Sequence, residues 1–314
     1  MADFTQVMTG TAELDNSAVE EFDAQFILAQ AAMGVADQFA SYKKDIGAKS
    51  ISLPKYDQMP LNTTPLNERE DPDSTAMSDS EVIFTPVEYG DVITSTSLSN
   101  LQSGGKTNIA AARIVGINSG RVHNKLALQA LDSSSRILFA GDATGLGDMD
   151  AADEVDALLL EKAYSALADR SSIGLPQANG EFVCIMHDNV IASLRSGTAA
   201  GSWQDTHKYA APSEVLRNEV GMFKGFRIIR DNLSTVVAAG ALGDGSDAYN
   251  SYFMGYNAFG KVESQTRTQV ISGPFDKLQR FLNIGWKSTT KYGIVEQDSL
   301  VIAKSVKSPN AGLV

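Results

Sequence analysis

The spacing of apolar residues in the first third of the chain predicts one helix followed by two strands. Residues 18–42 place apolar side chains at mostly helical intervals, which predicts a short amphipathic helix carrying Phe22, Phe26, Ile27, Ala31, Val35 and Phe39. Residues 50–56 and residues 81–94 alternate between apolar and polar side chains, the period of a half-buried strand. Both stretches are therefore expected to be extended.

The connection between these two predicted strands is polar and rich in proline. Its neighbourhood holds four of the nine prolines and an acidic run, namely Pro54, Pro60, Pro65, Pro72, Glu68, Glu70, Asp71 and Asp73. Proline withholds a ladder hydrogen bond and blocks helix formation, so these roughly 25 residues predict a long protruding hairpin. Loops of this length are uncommon inside a compact domain. Because strand patterns flank it on both sides, an ordered arm that needs a partner surface is favoured over a floppy linker.

A proline-free stretch at residues 107–132 predicts a long helix that is buried on more than one side. Its apolar residues form two stripes, Ala111, Ile114, Val115, Val122 and Leu126 on one and Ile117, Leu128 and Leu131 on the other. Gly116 and Gly120 each cost a helix interior about 1 kcal/mol relative to alanine. We therefore expect them to permit the close approach of another backbone.

The rest of the chain mixes short helices and strands without a βαβ repeat or an internal sequence repeat, which predicts the α+β class. A helix is expected at residues 153–169, with Asp153 and Glu154 at its positive N-terminal end. A turn at Asn179–Gly180 should precede a strand at 181–186 and a helix at 188–195. Further strands are predicted at 225–230, 252–262, 281–287, 292–295 and 300–304.

Composition excludes several classes of protein. The 314 residues carry a net charge of -12, which argues against a general nucleic-acid binder but suits a container wall that does not grip DNA. One cysteine and three histidines exclude a disulfide framework and make catalytic zinc improbable. No stretch is long and apolar enough for a membrane span, and the start lacks the pattern of an export signal. A folded cytoplasmic protein is expected.

The charge is unevenly distributed along the chain. Residues 1–42 contain no Lys or Arg, and their acidic residues are Asp3, Glu13, Asp15, Glu20, Glu21, Asp23 and Asp37. From Lys261 onward, basic residues outnumber acidic ones. The two ends could attract each other between neighbouring subunits. The alternative, two solvated surfaces without mutual contact, stays open because exposed charges cost little.

Two loops resemble ligand sites without meeting their requirements. Residues 104–107 (GGKT) look like the end of a phosphate-binding loop, but Asn100 stands where that motif needs glycine, so a turn and a helix start suffice. Residues 141–150 hold three carboxylates among glycines, yet they lack the spacing of a calcium-binding EF-hand loop. A mobile surface loop is the preferred interpretation, as it is for Asp244 and Asp247.

Cys184 and His187 are the residues that could form a nucleophile and base pair. Cys184 lies in the apolar run 182–186 (FVCIM), where a cysteine normally acts as a small buried hydrophobe. No catalytic motif occurs elsewhere in the sequence. We therefore predict no catalytic residues, no cofactor and no metal ligands.

Several sequence blocks, in their order along the chain, resemble one protein family. The blocks are 87–93 (VEYGDVI), 182–196 (FVCIMHDNVIASLRS), 221–232 (GMFKGFRIIRDN) and 292–305 (YGIVEQDSLVIAKS). Together with the arm, the hairpin and the long helix, they are similar to tailed-bacteriophage major capsid proteins of the Hong Kong 97 fold. The resemblance implies an N-terminal arm with a short helix at 1–45, an E-loop hairpin at 46–90, a P domain with its spine helix at 91–135, an A domain at 136–260, and closing P-domain strands and tail at 261–314.

The resemblance also implies function. The chain would self-assemble as hexamers and pentamers into an icosahedral virion shell around double-stranded DNA, in the cytoplasm of a bacterial host, without recognising the DNA sequence or a membrane. A separate scaffolding protein is expected, since only about 45 residues precede the hairpin. A portal, and a decoration protein in a shell that carries one, would be further partners. Another virion or binding module, or a cytosolic hydrolase with an unrecognised site, is the alternative.

Two finer expectations follow from the same resemblance. Gly47 and Gly90, near the base of the hairpin, are candidate hinges that would let one sequence fit two environments. One member of the fold forms a covalent Lys-Asn link between E-loop and P domain; here Lys55 lies in the predicted E-loop, and Asn283 is a candidate acceptor in the P domain. No acid to catalyse that link can be identified from the sequence, so a shell held together without it is expected.

Overall fold

The helices and strands come from a computed structural model that describes residues 34–168, 181–196, 219–237, 247–272, 278 and 280–307, without residues 48, 57–58, 60–61, 67, 70, 72–73 and 105. The described strands are β1 Ser41–Lys44, β2 Ile51–Tyr56, β3 Asp79–Phe84, β4 Val87–Thr96, β5 Ile137–Phe139, β6 Phe182–Met186, β7 Glu219–Phe223, β8 Phe226–Arg230, β9 Val236–Val237, β10 Ala248–Met254, β11 Phe259–Ser272, β12 Phe281–Ile294 and β13 Leu300–Val306. The helices are α1 Ser97–Gln102, α2 Lys106–Leu131, α3 Ala157–Ala168 and α4 Asp188–Ser196, with 3-10 turns at Ala36–Phe39, Leu146–Asp148 and Gln297–Ser299.

The chain divides into two compact units. The first contains Val87–Asn124 and Glu263–Thr290, and the second contains Val35–Pro86, Lys125–Val262 and the chain from Lys291 onward. Three sheets are formed, with the strand orders β1-β11-β12-β4, β5-β13-β10-β6-β8-β7 with β9 on β10, and β2-β3.

In the first unit, α2 packs on the antiparallel pair β4 and β12. Ala111, Ala112 and Val115 of the helix share an apolar cluster with Ile284 and Trp286 of β12. Polar contacts continue this packing: the Trp286 indole donates to Asn118 Oδ1 at 2.8 Å, and the buried His123 Nε2 lies 2.9 Å from Ser288 Oγ. The helix is therefore held in register by hydrogen bonds as well as by apolar packing.

In the second unit, the central sheet separates two apolar cores. Alternate residues of a strand point to opposite faces, and in β6 Phe182, Cys184 and Met186 line one core while Val183 and Ile185 line the other. The first core receives α3 and α4, and the second receives the C-terminal turn of α2. All five β6 side chains are buried, so this strand is central to the unit.

Asp132, the residue after α2, fastens that helix to the central sheet. Its carboxylate accepts hydrogen bonds from the Tyr252 hydroxyl at 2.6 Å, the Thr235 hydroxyl at 2.5 Å and the Asn250 amide at 2.8 Å. Burial, followed by the negative charge of Asp132, raises the pKa of the Tyr252 hydroxyl. The phenol therefore stays protonated and remains a donor.

The structure confirms several predicted elements. The long helix, the hairpin strand at 51–56, strand 182–186 and helix 188–196 all lie within a residue or two of the predicted bounds. The expected turn at Asn179–Gly180 lies outside the described residues. Gly116 and Gly120 are buried as their packing role requires, but the close approach of a backbone to them stays a prediction.

Four predictions about the first half of the chain were wrong in part. Within the described end of the helix predicted at 18–42, Ala36–Phe39 form a 3-10 turn and β1 begins at Ser41, while residues 18–33 lie outside the described part. The strand at 81–94 is broken at Thr85–Pro86, because proline has no N–H to donate to a ladder. Helix 153–169 begins only at Ala157, where Asp156 caps it by accepting from the Leu159 N–H at 2.7 Å. Ile114 is 56% exposed instead of buried.

Two strand predictions in the second half also need correction. The run 252–262 is two strands, because Asn257 adopts a positive φ of 56° in the turn between β10 and β11. The predicted strands 281–287 and 292–295 are one strand, β12. Its polar middle was read as a break, but Ser288 and Thr290 are buried there, and Ser288 contacts His123.

Candidate functional site

The candidate site is the long hairpin formed by β2 and β3 with the residues that connect them. The strands pair antiparallel from Ile51 opposite Phe84 to Tyr56 opposite Asp79. At the open end of the hairpin, Ile51 and Phe84 are buried and form an apolar cluster with Val262 and Val295. We call these four residues the hairpin base cluster. It attaches this end of the hairpin to the rest of the second unit.

Two glycines allow the hairpin to approach the neighbouring strands. A Cβ added at Gly293 of β12 would lie 2.2 Å from Cε1 of Phe84, and one added at Gly260 of β11 would lie 2.6 Å from Cδ1 of Leu53. Real side chains do not occupy such distances, so only glycine fits unless the hairpin shifts. The sequence signal was present, since glycine inside a strand often marks the close approach of another chain segment. We had not used it.

Ionic and hydrogen bonds add to this attachment. Lys55 Nζ of β2 lies 2.8 Å from Glu296 Oε2, whose side chain is largely buried. Lys43 Nζ of β1 donates to the Ser52 carbonyl at 2.5 Å. Residues that precede the hairpin in the chain (Lys43) and residues that follow it (Glu296) therefore both make polar contacts with β2, in addition to the apolar cluster.

Away from the hairpin base cluster, the hairpin exposes apolar side chains that belong to no core of the described residues. The large apolar residues with more than half of their surface exposed are Tyr56, Met59, Leu66, Met77 and Ile83. Single exposed apolar residues are ordinary, but a group of them on one projecting element marks an interaction surface. The hairpin base cluster therefore attaches the hairpin to its own subunit, while the exposed apolar side chains of the hairpin remain unburied.

A second anchor lies where the described chain begins. Asp37 accepts a hydrogen bond from the Tyr292 hydroxyl at 2.6 Å, and its Oδ1 lies 3.1 Å from Lys261 Nζ. Lys261 is itself almost fully buried and lies 5.5 Å from the centre of the Tyr42 ring. Opposite charges of the two sequence ends therefore do meet here, but within one chain. The expectation that such ends attract between subunits stays a prediction.

The structure does not bring Cys184 and His187 together as a reactive pair. Complete burial raises the pKa of the Cys184 thiol well above its usual range, so the thiol is not poised to ionise. His187 Nδ1 accepts a hydrogen bond from the Asn189 N–H at 3.2 Å, and its ring lies against Tyr249. Burial lowers the pKa of His187, with the charges of Asp188 and Asp231 opposing that effect.

The glycine-rich loops serve local backbone structure. Ser103 Oγ accepts from the Thr107 N–H at 3.2 Å and so caps the start of α2 beside Gly104. In the loop 141–150, the Asp148 carboxylate accepts from the Thr144 N–H at 3.2 Å, and the Asp150 carboxylate accepts from the Ala152 N–H at 2.8 Å. Asp244 lies outside the described residues, and Asp247 is half-buried at the start of β10.

The described residues contain neither a metal-binding group nor a membrane-spanning helix. Over those ranges, no group of three or more His, Cys, Asp or Glu residues is arranged to hold a metal ion. Within the same part of the chain, no helix has the length and apolar character needed to cross a membrane.

The remaining predicted positions have defined surroundings. Lys55 is engaged by Glu296, and Asn283 Oδ1 accepts from the Thr94 hydroxyl at 2.8 Å. Gly47 has a positive φ of 86° with open space around it, so its role as a hinge stays a prediction. Gly90 is an exposed residue inside β4 opposite Lys287, where an added Cβ would lie 2.7 Å from the Trp286 carbonyl oxygen, and its role as a hinge also stays a prediction.

Comparison with known proteins gives structural but no sequence matches. No family model matches the chain, and no curated protein does. Among solved structures, the capsid of Ralstonia phage GP4 aligns with a TM-score of 0.72 and 13% identity, over 86% of this chain and 87% of that chain. The head structure of Helicobacter pylori bacteriophage KHP40 gives 0.65 and 10%, over 88% and 91%. The capsid asymmetric unit of cyanophage Pam1 gives 0.62 and 12%, over 86% and 89%.

Identity this low shows a common fold and no more, but the alignments cover most of each chain. The combination of helices with antiparallel sheets and one mixed sheet, in which β6–β8 and β13–β5 are parallel pairs, confirms the predicted α+β class. The chain therefore has the Hong Kong 97 fold that these phage capsid structures share.

Proposed function

We propose that this chain is a major capsid protein, which self-assembles into the icosahedral shell around the genome of a tailed double-stranded DNA phage. The observation that carries the proposal is the hairpin: its base is buried against its own subunit, while its remaining length exposes Tyr56, Met59, Leu66, Met77 and Ile83. Association with another subunit would complete the burial of such an element. The shared fold with phage capsid structures supports the same conclusion.

The activity proposed is assembly and not catalysis. Each subunit would bury its hairpin against a neighbour, and a standard interface of about 1,600 Å² in total would be repeated many times in a shell. Many moderate contacts then replace a single strong site. The buried Cys184 and the locally bonded His187 fit this proposal, since neither is arranged as a reacting group.

The proposal extends to partners and location. Subunits would form hexamers and pentamers in the virion shell, after assembly in the cytoplasm of a bacterial host. A separate scaffolding protein and a portal would take part, as would a decoration protein in a shell that carries one. The enclosed DNA would be held without recognition of its sequence, as the net charge of -12 favours.

Electron microscopy of negatively stained particles tests the proposal. The chain is expressed alone and together with its neighbouring reading frames, so that a scaffold is supplied. We expect closed shells, or rings of five and six subunits, in the second sample. If that sample contains only small uniform oligomers, the capsid proposal is wrong and another binding module or an enzyme must be considered.

A further inference from the structure

The helix α2 has a cationic face directed to solvent. Lys106, Arg113 and Arg121 are exposed, and their spacing of seven and eight residues places them on one side of the helix. We call these three residues the cationic face. The helix also contains Lys125 but no Asp or Glu over its whole length, so none of its cations is neutralised by a carboxylate of the same helix.

An apolar groove accompanies this face. It has a volume of about 460 Å³ and is lined by Lys106, Ile109, Ala110, Arg113, Ile114 and Ile117. Within the described residues, neither Lys106 nor Arg113 forms an ion pair or a hydrogen bond through its side chain. A ligand that satisfies this groove must carry negative charge and apolar side chains at once. That requirement favours an acidic amphipathic peptide over the phosphates of a nucleic acid, which would leave the isoleucines uncovered.

The chain contains such a peptide outside the described residues. Residues 1–33 hold six acidic residues and no Lys or Arg, and their apolar residues include Phe22, Phe26 and Ile27. The two segments are thus complementary in charge and both are partly apolar. We propose that the acidic segment 13–27 binds the groove and cationic face of α2 in its own chain.

Other cations of the chain are less suitable partners for this segment. Lys261 is buried and paired with Asp37, and Lys224 is paired with Glu161 at 2.6 Å. Lys106 and Arg113 of α2 are exposed and line an apolar groove. Because the segment is tethered to the same chain, its effective concentration at α2 is on the order of millimolar if the connection can span the distance. A contact of modest intrinsic affinity would therefore be populated.

Proteolysis with charge reversal tests the contact. Chymotrypsin cleaves after Phe22 and Phe26, and binding in the groove should slow both cleavages in the full chain. In the variant K106E/R113E we expect cleavage there to be about 5- to 30-fold faster, the factor that corresponds to the loss of a few moderate interactions. The variant E20K/E21K should show the same increase. Combining the two reversals should restore slow cleavage, since the charges are complementary again.

A control and a second measurement make the test specific. K224E reverses an exposed lysine elsewhere and should leave cleavage after Phe22 and Phe26 unchanged. A zero-length carboxyl–amine cross-linker is applied to a mixture of ¹⁴N- and ¹⁵N-labelled chains. It should join Lys106 to Glu20, Glu21 or Asp23, and both peptides of each link should carry the same isotope, as expected for a contact within one chain.

The proposal fails under any of four results. The first is an unchanged cleavage rate in K106E/R113E. The second is a combined variant that is cleaved as fast as K106E/R113E or E20K/E21K, or faster. The third is a set of cross-links that join a ¹⁴N-labelled peptide to a ¹⁵N-labelled one, which would identify a second copy of the chain as the occupant. Protection of Lys106 from modification by a DNA duplex, without any cross-link to residues 13–27, would identify phosphate as the ligand.

Discussion

Phe84 and Ile83 are adjacent on β3, and their substitution to alanine should have opposite consequences. Phe84 is 5% exposed and packs with Ile51, Val262 and Val295, whereas Ile83 is 61% exposed on the other side of the strand. Burying a phenylalanine side chain removes about 150–250 Å² from water. At about 25 cal/mol per Å², this corresponds to about 4–6 kcal/mol, close to the usual cost of about 3–5 kcal/mol for a buried Phe→Ala change.

We therefore expect Phe84→Ala to destabilise the unassembled chain by about 3–5 kcal/mol, with Ile83→Ala as the matched control that changes stability by less than about 0.5 kcal/mol. Urea unfolding followed by circular dichroism measures the difference. Because the chain has two compact units, the amide hydrogen exchange of β2 should be followed as well. It should accelerate in Phe84→Ala only.

Assembly should show the reverse sensitivity for Ile83. If the exposed side of the hairpin binds a neighbouring subunit, Ile83→Ala leaves the subunit intact but reduces the yield of closed particles. Equal loss of stability in the two variants would show that the hairpin base cluster is not the attachment described here. Normal particles from Ile83→Ala, at unchanged yield and stability, would remove this side chain from the proposed interface.

Three further predictions concern other parts of the second unit and the shell. Asp132→Ala leaves three hydrogen-bond donors without their carboxylate, so urea unfolding should show a loss of about 3 kcal/mol; a loss below a tenth of that would contradict the proposed fastening. The pKa of Tyr252 is raised in the folded state, first by burial and then by the charge of Asp132, so its contribution is fully present below about pH 10 and is lost as the pH rises further. Urea midpoints between about pH 8 and 11 should therefore fall for the wild type more steeply than for Tyr252→Phe, and parallel curves would refute this. Assembled particles boiled in detergent should give a single monomer band, because Lys55 Nζ is held 2.8 Å from Glu296 and Asn283 is hydrogen-bonded elsewhere; a ladder of multimers would show covalent links.

The elements that depend on local signals could be predicted from the sequence. The absence of proline and the helical spacing of apolar residues were enough to find α2 to within one residue at each end. The hairpin was also identified, because alternation on both sides of a proline-rich connection is a local pattern. In contrast, Ser288 and Thr290 lie in the middle of β12 and are polar, so the strand was divided in two. Their burial depends on partners far along the chain, such as His123 for Ser288, and no local pattern reveals it.

The candidate site was predicted only in outline. The sequence indicated a projecting hairpin, but not how its base is attached, since Gly260 and Gly293 acquire their meaning from the residues that approach them. Asp37 and Lys261 were assigned to two oppositely charged ends of the chain, and the structure pairs them within one subunit. Charge patterns predict which segments can attract. They do not identify which copy of the chain supplies each partner.

The exposed apolar residues explain why function here should belong to surfaces and not to a pocket. The exposed apolar residues of the first unit include Val92, Leu98, Leu101 and Ile114. Those of the hairpin, in the second unit, are the five residues named above. Each exposed apolar side chain forgoes about 1.5–3 kcal/mol that full burial would supply. Association with further copies would bury such residues, and because every copy carries the same exposed residues, the contacts would repeat until the assembly closes.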